Sequence, residues 1–347
     1  MSATYILFSQ HQFMNEIDLG MDTDQVMVIE MKGEKLKDAV KSVKGEIEMS
    51  SNIDFVKAAN ISPLSGGTVN MGITAGEKEV DASVMVVESG LMKMLNVKLD
   101  EGELFSDLPA SDRKKKVLVN EAFVREAGLE EPIGSQVFGA STIIGVVKDF
   151  IYESAKKEIQ PVMIVLADNA NSYLYVHVSG NVSDGLKDVE KAITNFDPNY
   201  VFEYEFIDDV FAAKYEDEKR LSQVFGLFSI LTIFIAGLGI LGLSIFIAES
   251  RMKEIGIRKV LGAKIGQVVW LLNSGITALV MLVALITLPL VFHYTSGWLD
   301  GFAFRIELNP FHFILPLITL LGVLWSILFY QAYKSARSNP VNALRME

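Results

Sequence analysis

The sequence contains no cysteine. This absence excludes disulfide bonds, thiolate metal sites and a cysteine nucleophile. The dipeptide Gly-Lys is absent as well, so the chain lacks the loop and lysine with which P-loop ATPases hold nucleotide phosphates. Neither G-x-S-x-G nor H-x-x-x-H occurs, and the four histidines lie far apart. The sequence therefore predicts no catalytic, cofactor-binding or metal-binding residue.

Charge is divided unevenly along the 347 residues. Residues 221–347 carry 9 Lys and Arg against 5 Asp and Glu, a net charge of +4. The remaining 22 basic and 38 acidic residues give residues 1–220 a net charge of −16. A nucleic-acid-binding protein needs a basic surface, so the acidic N-terminal part argues against nucleic acid as a partner.

Three long apolar runs in the last third predict membrane spans, at about 224–248, 268–292 and 311–330. The first run has 25 residues without a charge, and as a helix it would be about 37 Å long. The hydrocarbon core of a bilayer is about 30 Å thick. The lipid bilayer is therefore a predicted partner, and residues 221–347 form a predicted all-α membrane domain.

Basic residues predict the orientation of these spans. The loop 249–267 carries five Lys and Arg and the C-terminal tail carries three, whereas the loop between the second and third spans has only Arg305. The positive-inside rule then places the loop 249–267 and the tail in the cytoplasm, and residues 1–220 outside it. Because Met1–Phe8 does not resemble a signal peptide, we expect a further span to precede residue 1.

Residues 1–220 are predicted to form an α+β domain. Helical stretches at about 35–48 and 184–195 lie between runs of strand-forming residues and predict two β-α-β units, at 26–57 and 173–207. A helical run from Asp208 reaches the first span without glycine or proline, which predicts a stalk helix continuous with that span. The predicted strands are 26–31, 117–120, 143–147, 162–166, 173–178 and 202–207.

Gly237, Gly239 and Gly242 match the dinucleotide motif G-x-G-x-x-G, but they lie in the middle of the first apolar run. That motif requires a preceding strand and a turn into a helix. We therefore interpret the three glycines as positions where membrane helices pack closely.

The loop 249–267 has an amphipathic pattern. At helical spacing, Ile257, Val260 or Leu261, Ile265 and Val268 share one face, and Glu254 lies four residues before Arg258. Composition alone leaves two interpretations open. The segment either rests on lipid headgroups and sets the topology or docks on a partner protein.

Several segments resemble FtsX/MacB-type ABC transporter permeases. Residues 251–263, RMKEIGIRKVLGA, resemble the R-x-x-E-I-G-I-R-K-x-L-G-A signature of this family, and Asn339–Arg345 resembles its N-P-V-x-A-L-R end. Asn120-Glu121-Ala122-Phe123 and Gly145-Val-Val-Lys-Asp149-Phe150 are similar to segments of the MacB-like periplasmic core domain.

The resemblance implies a domain organisation and a set of partners. The extracytoplasmic domain, 1–220, would hold a porter-like part at 24–87 and 166–210, an inserted subdomain at about 88–165 and a stalk helix at 208–223. The permease would lie in the bacterial inner membrane and pair with a second permease half or with its own copy. ATP would be bound by a cytoplasmic ABC ATPase subunit. The resemblance also allows a periplasmic adaptor and an outer-membrane channel as partners.

The expected function is that of a non-catalytic permease subunit of an ABC exporter, which passes ATP-driven motion to its outer domain. The alternative within the family is an FtsX-like regulator of an envelope enzyme such as a peptidoglycan hydrolase. An enzyme with its own external active site is a third hypothesis, which has no catalytic residues to support it. We predict that the ATPase binds the loop at Arg251, Glu254, Ile255, Gly256, Ile257, Arg258, Lys259, Leu261, Gly262 and Ala263.

Overall fold

The computed structural model describes residues 1–60 and 69–337, so the tail motif Asn339–Arg345 lies outside the described residues. The chain divides into two compact units. The sheet unit runs from Glu16 to Tyr215, and the helical unit combines Met1–Asn15 with the chain from Glu216 onward.

The helical unit begins with α1, and all eleven described strands belong to the sheet unit. The elements up to the middle of the sheet unit are α1 (Ser2–Glu16), β1 (Val26–Glu30), α2 (Glu34–Ile47), β2 (Ile53–Ala59), β3 (Val69–Ala75), β4 (Lys78–Val87), α3 (Leu91–Met94), β5 (Leu99–Gly102) and β6 (Lys116–Asn120). The sheet unit continues with α4 (Glu121–Ala127), β7 (Gln136–Val137), β8 (Ser141–Val147), β9 (Val162–Leu166), β10 (Tyr173–Val178), α5 (Val182–Phe196), β11 (Glu205–Phe206) and α6 (Ile207–Lys214).

Four strands form an open sheet in the order β11-β1-β10-β2, with antiparallel neighbours. Helix α2 therefore connects the parallel strands β1 and β2, which lie on either side of β10. Helix α5 connects the parallel strands β10 and β11, which lie on either side of β1. Helix α2 buries Leu36, Val40, Val43 and Ile47, a spacing that puts them on one helical face. This face and that of α5 pack in one core with β1, β2 and β10. The prediction of two β-α-β units in an α+β domain is confirmed.

Six strands close into a barrel, which lies in the chain between β2 and β10. Strands β4, β3, β7, β8, β6 and β9 pair in sequence, and the parallel pairing of β9 with β4 completes the ring. Strand β4 meets the open sheet at its end, where Val87 pairs with Ala59 of β2. Residues 69–87, which the sequence assigned to the porter-like part 24–87, thus pair within the barrel.

The buried Asn120 side chain, at the end of β6, makes hydrogen bonds to two neighbouring parts of the barrel domain. Its Oδ1 accepts the Phe123 N–H (3.0 Å) and caps α4, and it also accepts the Val162 N–H of β9 (2.8 Å). Its Nδ2 donates to the Gln160 carbonyl oxygen (3.0 Å). The asparagine of the Asn-Glu-Ala-Phe segment therefore has a structural role, since it joins a helix N-terminus to a neighbouring strand.

The helical unit also contains α7 (Glu216–Ser250), α8 (Met252–Val260), α9 (Ile265–Leu299) and α10 (Phe311–Arg337). Within the described residues, three helices are long and apolar enough to cross a membrane, at Glu216–Ser250, Gly266–Leu299 and Phe311–Tyr330. The prediction of three apolar helices is confirmed. A Cβ on Gly237 would lie 3.2 Å from Ile327 Cδ1 of α10, so this glycine of the G-x-G-x-x-G match does lie at a helix contact.

Two features of the helices differ from the predictions. The helical run from Asp208 is interrupted, because Tyr215 leaves the helical conformation (φ −109°, ψ 10°) and separates α6 from α7. The chain start, read from sequence only as a short apolar stretch, is part of α1. The Gln10 amide of α1 is buried and binds the backbone of the loop before α10, donating to the Phe304 oxygen and accepting the Ile306 N–H (both 2.9 Å).

We expect Asn120→Ala to destabilise the sheet unit by about 2–4 kcal/mol, because it removes a helix cap and leaves the buried Val162 N–H without its acceptor. Asn181→Ala is the matched control. Asn181 caps α5 in an exposed position, so its loss should cost only about 1 kcal/mol. Pulse proteolysis of the detergent-solubilised chain in urea measures both changes. Equal effects would contradict the role assigned to Asn120.

Candidate functional site

The loop between the first two spans is a short helix followed by a tight bend. Helix α8 follows α7 almost directly, and the Ile255 N–H donates to the Arg251 oxygen (3.0 Å). Helix α8 ends at Val260, and the turn that follows contains Gly262, whose φ of +88° favours glycine. The Ala263 N–H then donates to the Arg258 oxygen (2.9 Å), a Schellman-type closure. The bend ends at Lys264, the residue before α9. The Lys264 N–H donates to Gln267 Oε1 in the first turn of α9 (3.1 Å).

One face of α8 is buried against the two long helices that flank it. Ile255 is 6% exposed and packs in a cluster with Ala248 of α7 and with Val268 and Val269 of α9. The four side chains form an apolar contact where α7 ends and α9 begins. Ile255 thereby fixes the orientation of α8 relative to both spans.

The predicted apolar face is only partly correct. Val268 is buried as expected, but Ile257 is 57% exposed and Leu261 is 80% exposed. The prediction treated residues 257–268 as one continuous helix, whereas the bend at Gly262 changes the register between α8 and α9. The side chains of Val260 and Ile265 lie outside the described side chains. Ile257 and Leu261 remain as an exposed apolar pair four residues apart.

Charged groups lie beside this apolar pair. Arg258 Nη2 lies 3.0 Å from Glu254 Oε1, and both side chains are about half exposed. The predicted i,i+4 ion pair is therefore present, and it holds the guanidinium near the helix surface. Arg251 is exposed as well.

An open groove runs beside Arg258 where the chain turns into α9, and the sequence did not reveal it. Trp270 is exposed in this groove, and its ring centroid lies 6.3 Å from that of Trp325 on α10. The groove lies next to the exposed face of α8. Its other lining residues are Ala263, Gly266, Gln267, Val268 and Leu271. The only sequence signal for it is a tryptophan one turn into the second span.

The glycines of the loop have different roles. Among the described residues, a Cβ on Gly256 or Gly266 would meet no atom within 4 Å apart from its own helical backbone, so packing among these residues requires neither glycine. Gly262 is required by its backbone conformation. The loop thus presents a short helix, attached through Ile255, with an exposed apolar pair and exposed arginines beside it.

Two family models match the chain. The MacB-like periplasmic core domain matches residues 6–196, and the FtsX-like permease C-terminal region matches residues 226–340. A curated relative, the uncharacterised ABC transporter permease YknZ of Bacillus subtilis (strain 168), is 21% identical over 290 residues, which cover 78% of this chain and 72% of YknZ.

Two solved structures are also similar at 15% identity. The periplasmic region of MacB from Actinobacillus actinomycetemcomitans gives a TM-score of 0.42 and covers 57% of this chain and 94% of that chain. The extracellular domain of the ABC-type transporter YknZ from Gram-positive bacteria gives a TM-score of 0.39 and covers 52% of this chain and 98% of that chain.

We expect Gly262→Ala to loosen the end of α8, because a left-handed conformation costs a non-glycine residue about 1–2 kcal/mol. Gly256→Ala is the control and should act in the opposite direction, since alanine favours a helix interior by about 0.5–1 kcal/mol over glycine. Hydrogen exchange of α8 peptides in detergent should be faster in the first variant and unchanged or slower in the second. Faster exchange in both would contradict the assigned roles.

Proposed function

Because the chain belongs to the FtsX/MacB-type family of ABC transporter permeases, we propose that it is the permease subunit of an exporter and that a separate cytoplasmic ATPase drives it through the loop 249–267. The observation that carries this proposal is the exposed pair Ile257 and Leu261 at α8, a helix whose buried Ile255 packs against α7 and α9. In a chain without a phosphate-binding loop, the work of ATP hydrolysis has to arrive through a protein contact.

The exposed face of α8 has the features of a docking helix. An amphipathic helix binds a groove with its apolar face, while charged groups at the rim fix its register. Ile257 and Leu261 supply the apolar contact, and Arg258 supplies a planar donor that suits a partner carboxylate. Lipid headgroups are the alternative occupant of such a helix. The cationic rim suits either occupant, so the experiment below separates them.

Exposure separates most of the predicted contact set, apart from Lys259, whose side chain lies outside the described side chains. Residues that can reach a partner are Arg251, Glu254, Ile257, Arg258 and Leu261, which are exposed or half-exposed. Ile255 lies underneath and positions the helix, and Gly262 shapes the bend. A force on α8 therefore acts on the ends of α7 and α9 together through the Ile255 contact.

Helix α7 provides a route away from the loop. It has 35 residues and is about 52 Å long, so it exceeds a hydrocarbon core of about 30 Å. Its first turn is acidic and has to lie in water. Motion of α8 would reach the far side of the membrane along this helix, which is the mechanotransmission role that we propose.

The remaining proposals concern location and assembly. Five basic residues in 249–267 against only Arg305 in the loop before α10 support a cytoplasmic location for 249–267 and the tail, in a bacterial inner membrane. The sheet unit would then be extracytoplasmic. We also propose a second permease half, identical or related, as a partner. A periplasmic adaptor and an outer-membrane channel would complete an exporter.

Charge reversal at Arg258 tests the docking proposal. Arg258→Glu should lower the stimulation of the partner ATPase by the permease about tenfold, the equivalent of about 1.4 kcal/mol. This variant also breaks the pair with Glu254. The control is the double variant Glu254→Arg with Arg258→Glu, which restores an ion pair on α8 but presents the opposite charges to the partner.

The ATPase rate of the reconstituted complex separates the two roles of Arg258. If Arg258 binds the partner, the double variant stays uncoupled. Recovery of coupling in the double variant would show that Arg258 acts only within α8. Wild-type coupling in both variants would leave the loop as a topology anchor on lipid headgroups.

A further inference from the structure

The chain passes between the two units twice, at Asn15–Glu16 and at Tyr215–Glu216. Within the sheet unit, Leu19-Gly20 lies shortly after the first crossing, and Lys214-Tyr215 lies directly before the second. Both dipeptides contact the same short segment, Asp149–Ala155, which we call the joint segment. It follows β8 and begins within the Gly-Val-Val-Lys-Asp-Phe sequence.

The first crossing is held to the joint segment by backbone contact. The Ile151 N–H donates to the Leu19 oxygen (2.8 Å). Gly20 has a φ of +74°, and a Cβ there would lie 2.8 Å from the Asp149 oxygen and 3.1 Å from the Phe150 Cα. The two backbones therefore approach so closely that only glycine fits.

The second crossing is held by side chains. The Ala155 N–H donates to the Tyr215 hydroxyl oxygen (2.7 Å), and the Lys214 Nζ donates to the Glu153 carbonyl oxygen (2.6 Å). Tyr215 is 1% exposed and Ala155 is fully buried. Tyr215 is also the residue that interrupts the helical run between α6 and α7.

The other side of the joint segment is bonded to the barrel. Asp149 Oδ1 accepts the Ala122 N–H of α4 (2.9 Å), and Asp149 Oδ2 accepts from Arg125 Nη2 (2.7 Å). The Asp149 N–H donates in turn to Glu121 Oε2 (3.0 Å). The buried Tyr152 hydroxyl donates to Ser83 Oγ of β4 (2.9 Å).

These contacts give the barrel its own connection to the crossings. Helix α6 is the other connection from the second crossing into the sheet unit. It buries Ile207 and Phe211 and contacts β1 of the open sheet. Through α6 alone, displacement of the second crossing would act on the open sheet. The joint segment adds a path of hydrogen bonds from both crossings to α4 and β4 of the barrel.

We propose that the joint segment is the point through which motion of the membrane-spanning helices reaches the barrel. This inference rests on the proposed function, because it assumes that the ATPase moves those helices. Lys214 and Tyr215 are positioning residues in this scheme. Their bonds hold the joint segment to the second crossing, and breaking them should uncouple the barrel while leaving α8 and the ATPase contact intact.

The test is the double variant Lys214→Met with Tyr215→Phe, which removes both side-chain bonds to the joint segment and retains the side-chain bulk. The control is Tyr200→Phe. Tyr200 also binds a backbone oxygen through its hydroxyl, that of Glu30 (2.6 Å), but on the open sheet. Hydrogen exchange is measured on the permease–ATPase complex without nucleotide and with ATP and vanadate. The compared peptides cover α8 and residues 116–147 of the barrel.

The expected result is a nucleotide-dependent difference at α8 and in the barrel for the wild type and for Tyr200→Phe, with loss of the barrel difference alone in the double variant. A barrel difference that survives in the double variant, or is absent from the wild type, would overturn the joint. So would loss at both places in the double variant, since the bonds would then act on the whole assembly. A wild-type complex without a difference at α8 would overturn the proposed function and the joint with it.

Discussion

A single buried side chain, Ile255, connects the short helix α8 to both long apolar helices that flank it. Its cluster with Ala248, Val268 and Val269 attaches the loop to the end of α7 and the start of α9. Ile255 is 6% exposed, so this contact gives α8 a buried anchor next to the exposed Ile257 and Leu261. In the proposed function, the Ile255 contact is what links the exposed pair Ile257 and Leu261 to α7 and α9.

The sheet unit applies the same principle with polar groups. At the strand ends of the barrel, the buried Asn120 joins α4 to β9, and the partly exposed Asp149 joins α4 to the rest of the joint segment. A buried polar group that is fully satisfied specifies one arrangement, because each alternative leaves a donor or acceptor unpaired. The two segments that resemble the MacB-like core domain meet at this place. Asn120 and Asp149 of these segments therefore have structural roles in the barrel.

Local patterns were sufficient to predict part of this structure. Apolar length revealed the three spans, and strand-forming runs bounded by turns revealed β1, β6, β8, β9 and β10. Strands β3 and β4, which pair with each other as a hairpin, were missed. The role of Gln10 was also missed, because its amide binds the backbone of residues 304 and 306, which are distant in sequence. At the loop, helical periodicity assigned Ile257 to the buried face because it cannot detect that Gly262 ends the helix, and Ile255 took that place.

Site-specific photo-crosslinking in cells tests the central claim most directly, because it asks what touches α8 without relying on transport. A photoreactive amino acid is placed at Leu261 on the exposed side of the loop and, as the control, at Ile255 on its buried side. We expect a crosslink from position 261 to an ABC ATPase subunit and none from position 255. Crosslinks from position 261 to lipid alone, or equal crosslinking of the ATPase from both positions, would contradict it.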